Sequence, residues 1–452
     1  MQRRPGTRFA VAPAGGGIVR LLGREALTLL QQEAHASNIA NPAAPQTVEE
    51  TGVRRTLLEE LALKTLFTHG EMSLCELADH MRLELSVIEE LFLRLRKEQQ
   101  CEVKGMRGVV HCITVTGAGR ARALELLSLN QYVGPAPVSL PDYVRYTRSQ
   151  SIRQAEVHSS DVEKAFEHLV LSERTIKQLG TAAISGTSIF LYGPPGTGKT
   201  SIAEALPAIY NDSVWLPHAV EVDGQLIVIY DSAIHQMGDV PAPSEHDQRW
   251  VLCRRPRVVT GGELTIEMLD LQFNPHTKFY TAPLQLKANG GVLIIDDFGR
   301  QRVHPEELLN RWIVPLDRRT DYLTLAGGKK FEVPFEVFVV FATNLEPSRL
   351  AEEAFLRRIP NKIRLDSVST LQFQEILRLV CQSHQVHYES DAIKELVHLL
   401  TVELKQPLRP CYARDLVQQI CWSARYDGKP PKLNSMMMAR ACANYFLSHT
   451  QA

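Results

Sequence analysis

The sequence has almost no net charge and no long apolar run. Lys and Arg total 50 against 51 for Asp and Glu in 452 residues. That balance excludes a strongly basic nucleic-acid coat and an acidic solvating chain, while leaving room for a local patch. No apolar stretch approaches the ~18 residues of a membrane-spanning helix, so no membrane partner is expected. Arg3, Arg4 and Arg8 open the chain, but no apolar core ahead of a small-residue cleavage site follows them, so no secretory leader is expected. Eight cysteines are scattered from Cys75 to Cys442 without a Cys-x-x-Cys pair. Neither a zinc site nor a disulfide framework is indicated, and a reduced, cytoplasmic setting fits best. With 44% apolar and 22% charged residues, the composition is that of a globular protein long enough for several cores.

The chain divides by pattern. Residues 1–48 are rich in Gly, Ala and Pro and read as a flexible segment, with one short amphipathic helix expected at 20–34. Residues 49–127 show three helical periodicities and then two strands about Arg107 and Gly108, with Ser73 placed to cap the second helix. That order resembles a winged helix-turn-helix domain. Residues 128–160 carry Gly134, Pro135, Pro137 and Pro141 with few apolar anchors, and read as a linker or an extended segment. From 161 to 365 strands and helices alternate, the order of a parallel α/β sheet. From 366 to 452 only helical patterns remain.

The most specific motif is Gly193, Pro194, Pro195, Gly196, Thr197, Gly198, Lys199 and Thr200, which matches G-x-x-x-x-G-K-[ST] throughout. It follows the apolar run 188–192 and opens a helix at Ser201, the context the motif requires. Glycines let backbone N–H groups converge on phosphate oxygens, Lys199 is placed to reach the outer phosphates, and Thr200 to put its hydroxyl on Mg²⁺. A second apolar run, Val292 to Ile295, ends in Asp296 and Asp297, as a buried parallel strand carrying reactive groups at its carboxyl end would. Asp296 is the candidate second Mg²⁺ ligand and Asp297 the candidate base for an attacking water. The run 338–343 ends in Asn344, a candidate to hold that water or the terminal phosphate. Arg357 and Arg358 precede the last strand of the sheet.

Together these residues resemble the AAA+ ATPases, over about residues 160–450. The resemblance implies a P-loop αβα parallel sheet with a C-terminal helical lid, ATP and Mg²⁺ as ligands, and assembly into a ring, usually hexameric. Gly193–Thr200 is similar to Walker A, 294–297 to Walker B and Asn344 to sensor 1. Arg357 and Arg358 resemble the arginine-finger region, which acts on the neighbouring protomer, and Arg414 resembles sensor 2 in the lid. Residues 321–334 are expected as a β-hairpin about Gly327 and Gly328, ahead of the Asn344 strand. That placement resembles the pre-sensor-1 hairpin group, notably the MoxR and magnesium-chelatase-like ATPases, some of whose relatives have chaperone activity. Asp297 departs from the Glu usual in that group, and its shorter reach implies slow turnover.

The spacing between Lys199 and Asp296 exceeds that of a minimal core. The excess, about 214–259, contains an expected hairpin around Asp223 and Gly224, either a stabilising addition or a contact for a partner. Lys278, Phe279 and Tyr280 are expected to pack rather than to grip a substrate. The third helix of the N-terminal unit opens with Glu84, Ser86, Glu89 and Glu90, which phosphate would repel, so a protein client is favoured over duplex DNA. The expected activity is ATP hydrolysis coupled to remodelling of that client. The alternatives are an ATP-switched DNA-binding regulator and a nucleotide-binding scaffold with negligible turnover.

Overall fold

The structure, a computed structural model, describes residues 41–446 apart from positions 109, 239, 240, 244, 351 and 389. The expected helix at 20–34 lies outside the described residues. Among the described residues no helix is long and apolar enough to cross a membrane.

The N-terminal unit comprises α1 (Arg55–His69), β1 (Met72–Ser73), α2 (Leu74–Met81), α3 (Leu85–Lys97), β2 (Cys101–Arg107), β3 (Val110–Val115) and α4 (Gly117–Leu129). Its strands form an antiparallel sheet in the order β1-β3-β2. Ser73 caps α2 through a capping box: its hydroxyl accepts from Glu76 N–H while the Glu76 carboxylate accepts from Ser73 N–H. The two bonds satisfy two otherwise orphaned donors, which fixes where the helix starts. Leu58, Leu61, Leu66, Val87, Ile88 and Leu91 fill the core between the helices.

The stretch expected as a linker is ordered and folded. Val138–Ser139 forms β4, and Leu140–Ser149 forms α5, capped by Ser139 with Pro141 in the first turn. Its buried apolar anchors, among them Ala136, Val138, Tyr143 and Ile152, are spread over a proline-rich stretch, and polar contacts add to them. Gln150 exchanges two hydrogen bonds with the backbone of Trp215, at 2.6 and 2.8 Å. Tyr143, fully buried, accepts from Asn289 Nδ2 at 2.8 Å.

The core is an α/β fold on a parallel sheet of β5 (Ser188–Tyr192), β10 (Arg257–Thr260), β13 (Val292–Ile295), β16 (Phe338–Thr343) and β17 (Asn361–Arg364). The spatial order is β10-β13-β16-β5-β17, parallel throughout. Every residue of β13 and β16 is buried. Each such apolar side chain contributes roughly 1.5–3 kcal/mol, so the two central strands anchor the sheet. Because β16 lies between β5 and β13, the carboxyl ends of those three strands meet along one rim, where an open α/β sheet carries its ligands.

Between β5 and β10 come β6 (Ser213–Pro217), β7 (Ala219–Val222), β8 (Gln225–Val228) and β9 (Trp250–Arg254). The β7–β8 hairpin turns at Asp223 and Gly224. Both of its edges are paired within the chain. β7 pairs with β4, β8 pairs with β12 (Tyr280–Thr281), and β12 pairs with β11 (Gln272–Phe273). Ala219 and Leu226 sit in the same apolar cluster as the N-terminal helices. Lys278 Nζ donates to Ser128 O at 2.5 Å, and Phe279 meets Tyr132 edge-on. Tyr280 is buried, its hydroxyl accepting from Ala326 N–H at 2.8 Å. This triplet therefore packs. The expected hairpin ahead of the Asn344 strand is β14 (Thr320–Thr324) with β15 (Lys330–Pro334).

The C-terminal part is helical, with helices at Thr370–Ser383, Ser390–His398, Pro410–Tyr426 and Ser435–Tyr445. Two short strands, His387–Tyr388 and Lys432–Leu433, pair in parallel within it, a feature the helical pattern concealed.

Candidate nucleotide site

The glycine-rich loop joins β5 to a helix at Lys199–Ala205. Gly193 has φ 137°, and a Cβ there would lie 2.2 Å from Leu365 O. Gly196 has φ 78°, and a Cβ there would lie 2.3 Å from Cys411 Sγ. Side chains at either position would push the loop off its neighbours, so only glycine permits this path. Lys199 is 7% exposed, and its ammonium donates to Gly193 O at 3.0 Å and Pro194 O at 2.7 Å. Burial depresses its pKa, with Asp296 and Asp297 opposing the shift and Arg409 reinforcing it. Thr197 donates to Pro194 O at 3.0 Å, and Ser201 is exposed in the helix that follows. Pro195 is also exposed in the loop.

Across the rim, Thr200 Oγ1 donates to Asp296 Oδ2 at 2.8 Å. A hydroxyl and a carboxylate held together are the oxygen donors a hard divalent cation takes. Asp297 N–H donates to the other Asp296 oxygen at 2.9 Å. Asn344 Nδ2 donates to Asp297 Oδ1 at 3.3 Å, so the residue after β16 does meet the acidic pair after β13. The turn after Asp296 is tied to β16 as well: Phe298 N–H donates to Ala342 O at 2.8 Å and Thr343 Oγ1 to Phe298 O at 2.7 Å.

The candidate arginines are distributed differently. Arg357 is exposed, while Arg358 Nε pairs with Asp317 at 2.6 Å on its own chain. Arg414 is at the surface of the C-terminal helices, its side chain 70% exposed and paired with the adjacent Asp415. Arg409 stands closer to the loop. Its Cδ is 3.8 Å from where a Gly196 Cβ would be, and its buried Nε has no hydrogen-bond partner. Cys411 N–H donates to Gly196 O at 3.2 Å, which seats the start of this helix on the glycine loop. An orphaned guanidinium N–H beside a lysine and a glycine cradle fits a phosphate group. Sequence reasoning missed Arg409 because it looked inside the helix. The available signal was the Arg409-Pro410 step, since proline in a first turn marks the helix start and leaves the preceding residue facing the loop.

Gln301 is the other residue that pattern reading passed over. Its amide reaches Asp296 O and Asp297 O, each at 3.2 Å, and its carbonyl oxygen accepts from Gly299 N–H at 2.7 Å.

Residues 165–226, which include the glycine-rich loop, match the family model described as magnesium chelatase, subunit ChlI. Residues 369–444 match a domain of unknown function, DUF8689. A comparison with curated proteins finds no match. Among solved structures, a point mutant of RuvB from Thermotoga maritima is similar at 15% identity and a TM-score of 0.35, covering 65% of this chain and 72% of that one. NtrX from Brucella abortus is similar at 13% identity and a TM-score of 0.38, covering 61% of this chain and 57% of that one.

Proposed function

We propose that this chain is an AAA+ ATPase that binds ATP and Mg²⁺, hydrolyses ATP within an oligomeric ring and uses the cycle to remodel a protein partner. The observation that carries this reading is the meeting of Thr200 with Asp296 and of Asn344 with Asp297 on one rim of the sheet. The match to the ChlI family model across the glycine-rich loop supports it.

In this reading the phosphates of ATP replace the carbonyls of Gly193 and Pro194 as partners of the Lys199 ammonium. The loop amides and Arg409 take the remaining phosphate oxygens. Thr200 and Asp296 would hold Mg²⁺, which when bound neutralises charge on the phosphates. Asp297 takes a proton from the attacking water as the water oxygen bonds to the terminal phosphorus and the bridging P–O bond breaks, releasing ADP and phosphate. Asn344 holds the Asp297 carboxylate in place. Arg357 and Arg358 serve the site of the next protomer in the ring, where such an arginine is worth roughly 10³–10⁵ in rate.

The N-terminal unit, read as a winged helix, is proposed to dock protein. Residues 46–48 run across the start of α3, with Ser86 Oγ donating to Gln46 O at 2.8 Å and Val48 N–H donating to Glu90 at 3.2 Å. That crossing ties up Ser86 and Glu90, two of the residues at the end of the helix from which base edges are read. The basic side chains of the β2–β3 hairpin are already paired, Lys104 with Glu102 and Arg107 with Glu76. Little free positive charge remains there for a phosphate backbone.

Steady-state phosphate release tests the reading. Lys199→Ala is expected to abolish turnover, and an Arg357→Ala/Arg358→Ala variant to lose most of it. Mixing that variant with Asp297→Asn is expected to restore part of the activity, because one partner supplies an intact site and the other its arginines. Mixtures no more active than their components would rule out action between protomers.

A further inference from the structure

We propose that Gln301 is a positioning residue that holds Asp297 in the conformation from which it acts as the base. The proposal rests on the reading of Asp297 given above. Asp297 has φ 49°, in the left-handed region, and Gly299 two residues later has φ 95°. Aspartate tolerates that region better than most side chains but is not confined to it, so the hydrogen bonds of the turn select it. Gln301 supplies the constraint from within the turn. Its Nε2 donates to Asp296 O and Asp297 O, each at 3.2 Å. Its Oε1 accepts from Gly299 N–H at 2.7 Å, and that bond fixes which end of the amide faces the carbonyls. Arg300 N–H also donates to Asp297 O at 3.0 Å, closing the turn.

The same amide lies 3.5 Å from Gly261 O, in the loop after β10. That loop is itself shaped by Glu263, whose carboxylate accepts from Gly261 N–H at 2.9 Å and from Thr260 Oγ1 at 3.1 Å. Gln301 thus joins the acidic turn to the neighbouring strand end, while Phe298 and Thr343 join it to β16. The side chain is half-buried and does not itself line the loop that receives the phosphates. Its effect passes through the backbone of Asp296 and Asp297. An apolar side chain of the same length fills the space but cannot donate to the two carbonyls, and glutamate keeps the acceptor while lacking the N–H.

The test uses the full chain with Gln301→Met, Gln301→Glu and, as reference, Asp297→Asn. Single-turnover ATP hydrolysis, the affinity for a fluorescent ATP analogue and the melting temperature are measured for each. Both Gln301 variants are expected to lose on the order of 10²-fold in hydrolysis rate, the scale of a small misplacement of a reacting group, with affinity and melting temperature unchanged. A Gln301→Met protein that hydrolyses like wild type beside an inactive Asp297→Asn protein would overturn the positioning role and leave the base intact. An active Asp297→Asn protein would overturn both.

Discussion

Asp297 and His218 show what single side chains contribute here. The left-handed backbone at Asp297 is one that asparagine also adopts readily, so Asp297→Asn removes the base without adding strain. His218 lies among β7, β8 and the Arg249 backbone, its ring edge-on to Tyr230. Burial, reinforced by Arg82, pushes its pKa down to about 4 from an ordinary 6.5. The folded protein therefore resists protonation that the unfolded chain accepts. Stability is expected to fall as the pH drops through 6.5 and to stop falling from this cause below about 4. Urea midpoints at pH 7 and pH 5 check this: the wild type is expected to lose more on acidification than His218→Gln. An equal loss in both would remove His218 from the account.

The 214–259 insertion packs against the N-terminal unit, and a buried ion pair within it reaches the backbone of that unit. Arg249 and Asp247 are each 4% exposed and form a forked pair, at 2.8 Å for one arm. The two Nη1 N–H groups of Arg249 donate to Thr51 O and Pro137 O, both at 3.0 Å. Arg249→Ala leaves a buried carboxylate with one backbone N–H and no counter-charge, so a loss of about 3–5 kcal/mol is expected in chemical denaturation. A double change to Asp247→Leu/Arg249→Met is expected to lose less, because no charge then stays buried alone. A loss below about 1 kcal/mol for Arg249→Ala would show that the pair is not what fastens the two parts, as for an exposed pair. At this scale the sequence was informative where burial is apolar and continuous. The runs ending in Asp296 and Asn344 announced β13 and β16, and the paired glycines announced the β14–β15 turn. α5 escaped because it is short, poor in apolar residues and entered through the Gly134–Pro141 run that reads as loop, while Gln150 and the Asn289–Tyr143 bond add contacts a hydropathy pattern does not register. Arg409 escaped because its placement depends on how the C-terminal helices fold back onto Gly196, a contact between residues far apart in sequence. The partner of the insertion was not legible for the same reason: which strand an edge pairs with is decided by tertiary packing, not by the edge itself.

Across the whole molecule, the N-terminal helices, the β7–β8 hairpin and β12 share packing, while β14–β15 runs directly into β16 and Asn344. The proposed ATP cycle thus acts on the parallel sheet, while the N-terminal unit packs on a second sheet of order β11-β12-β8-β7-β4. All of this depends on whether the chain splits ATP with its own acidic pair. The most direct measurement is single-turnover hydrolysis of γ-labelled ATP in Mg²⁺ buffer, comparing the full wild-type chain with Lys199→Ala and Asp297→Asn. The account predicts labelled phosphate from the wild type, nucleotide still bound but uncleaved by Asp297→Asn, and neither tight binding nor cleavage by Lys199→Ala. Intact ATP on the wild-type chain, or equal phosphate release from all three, would contradict it.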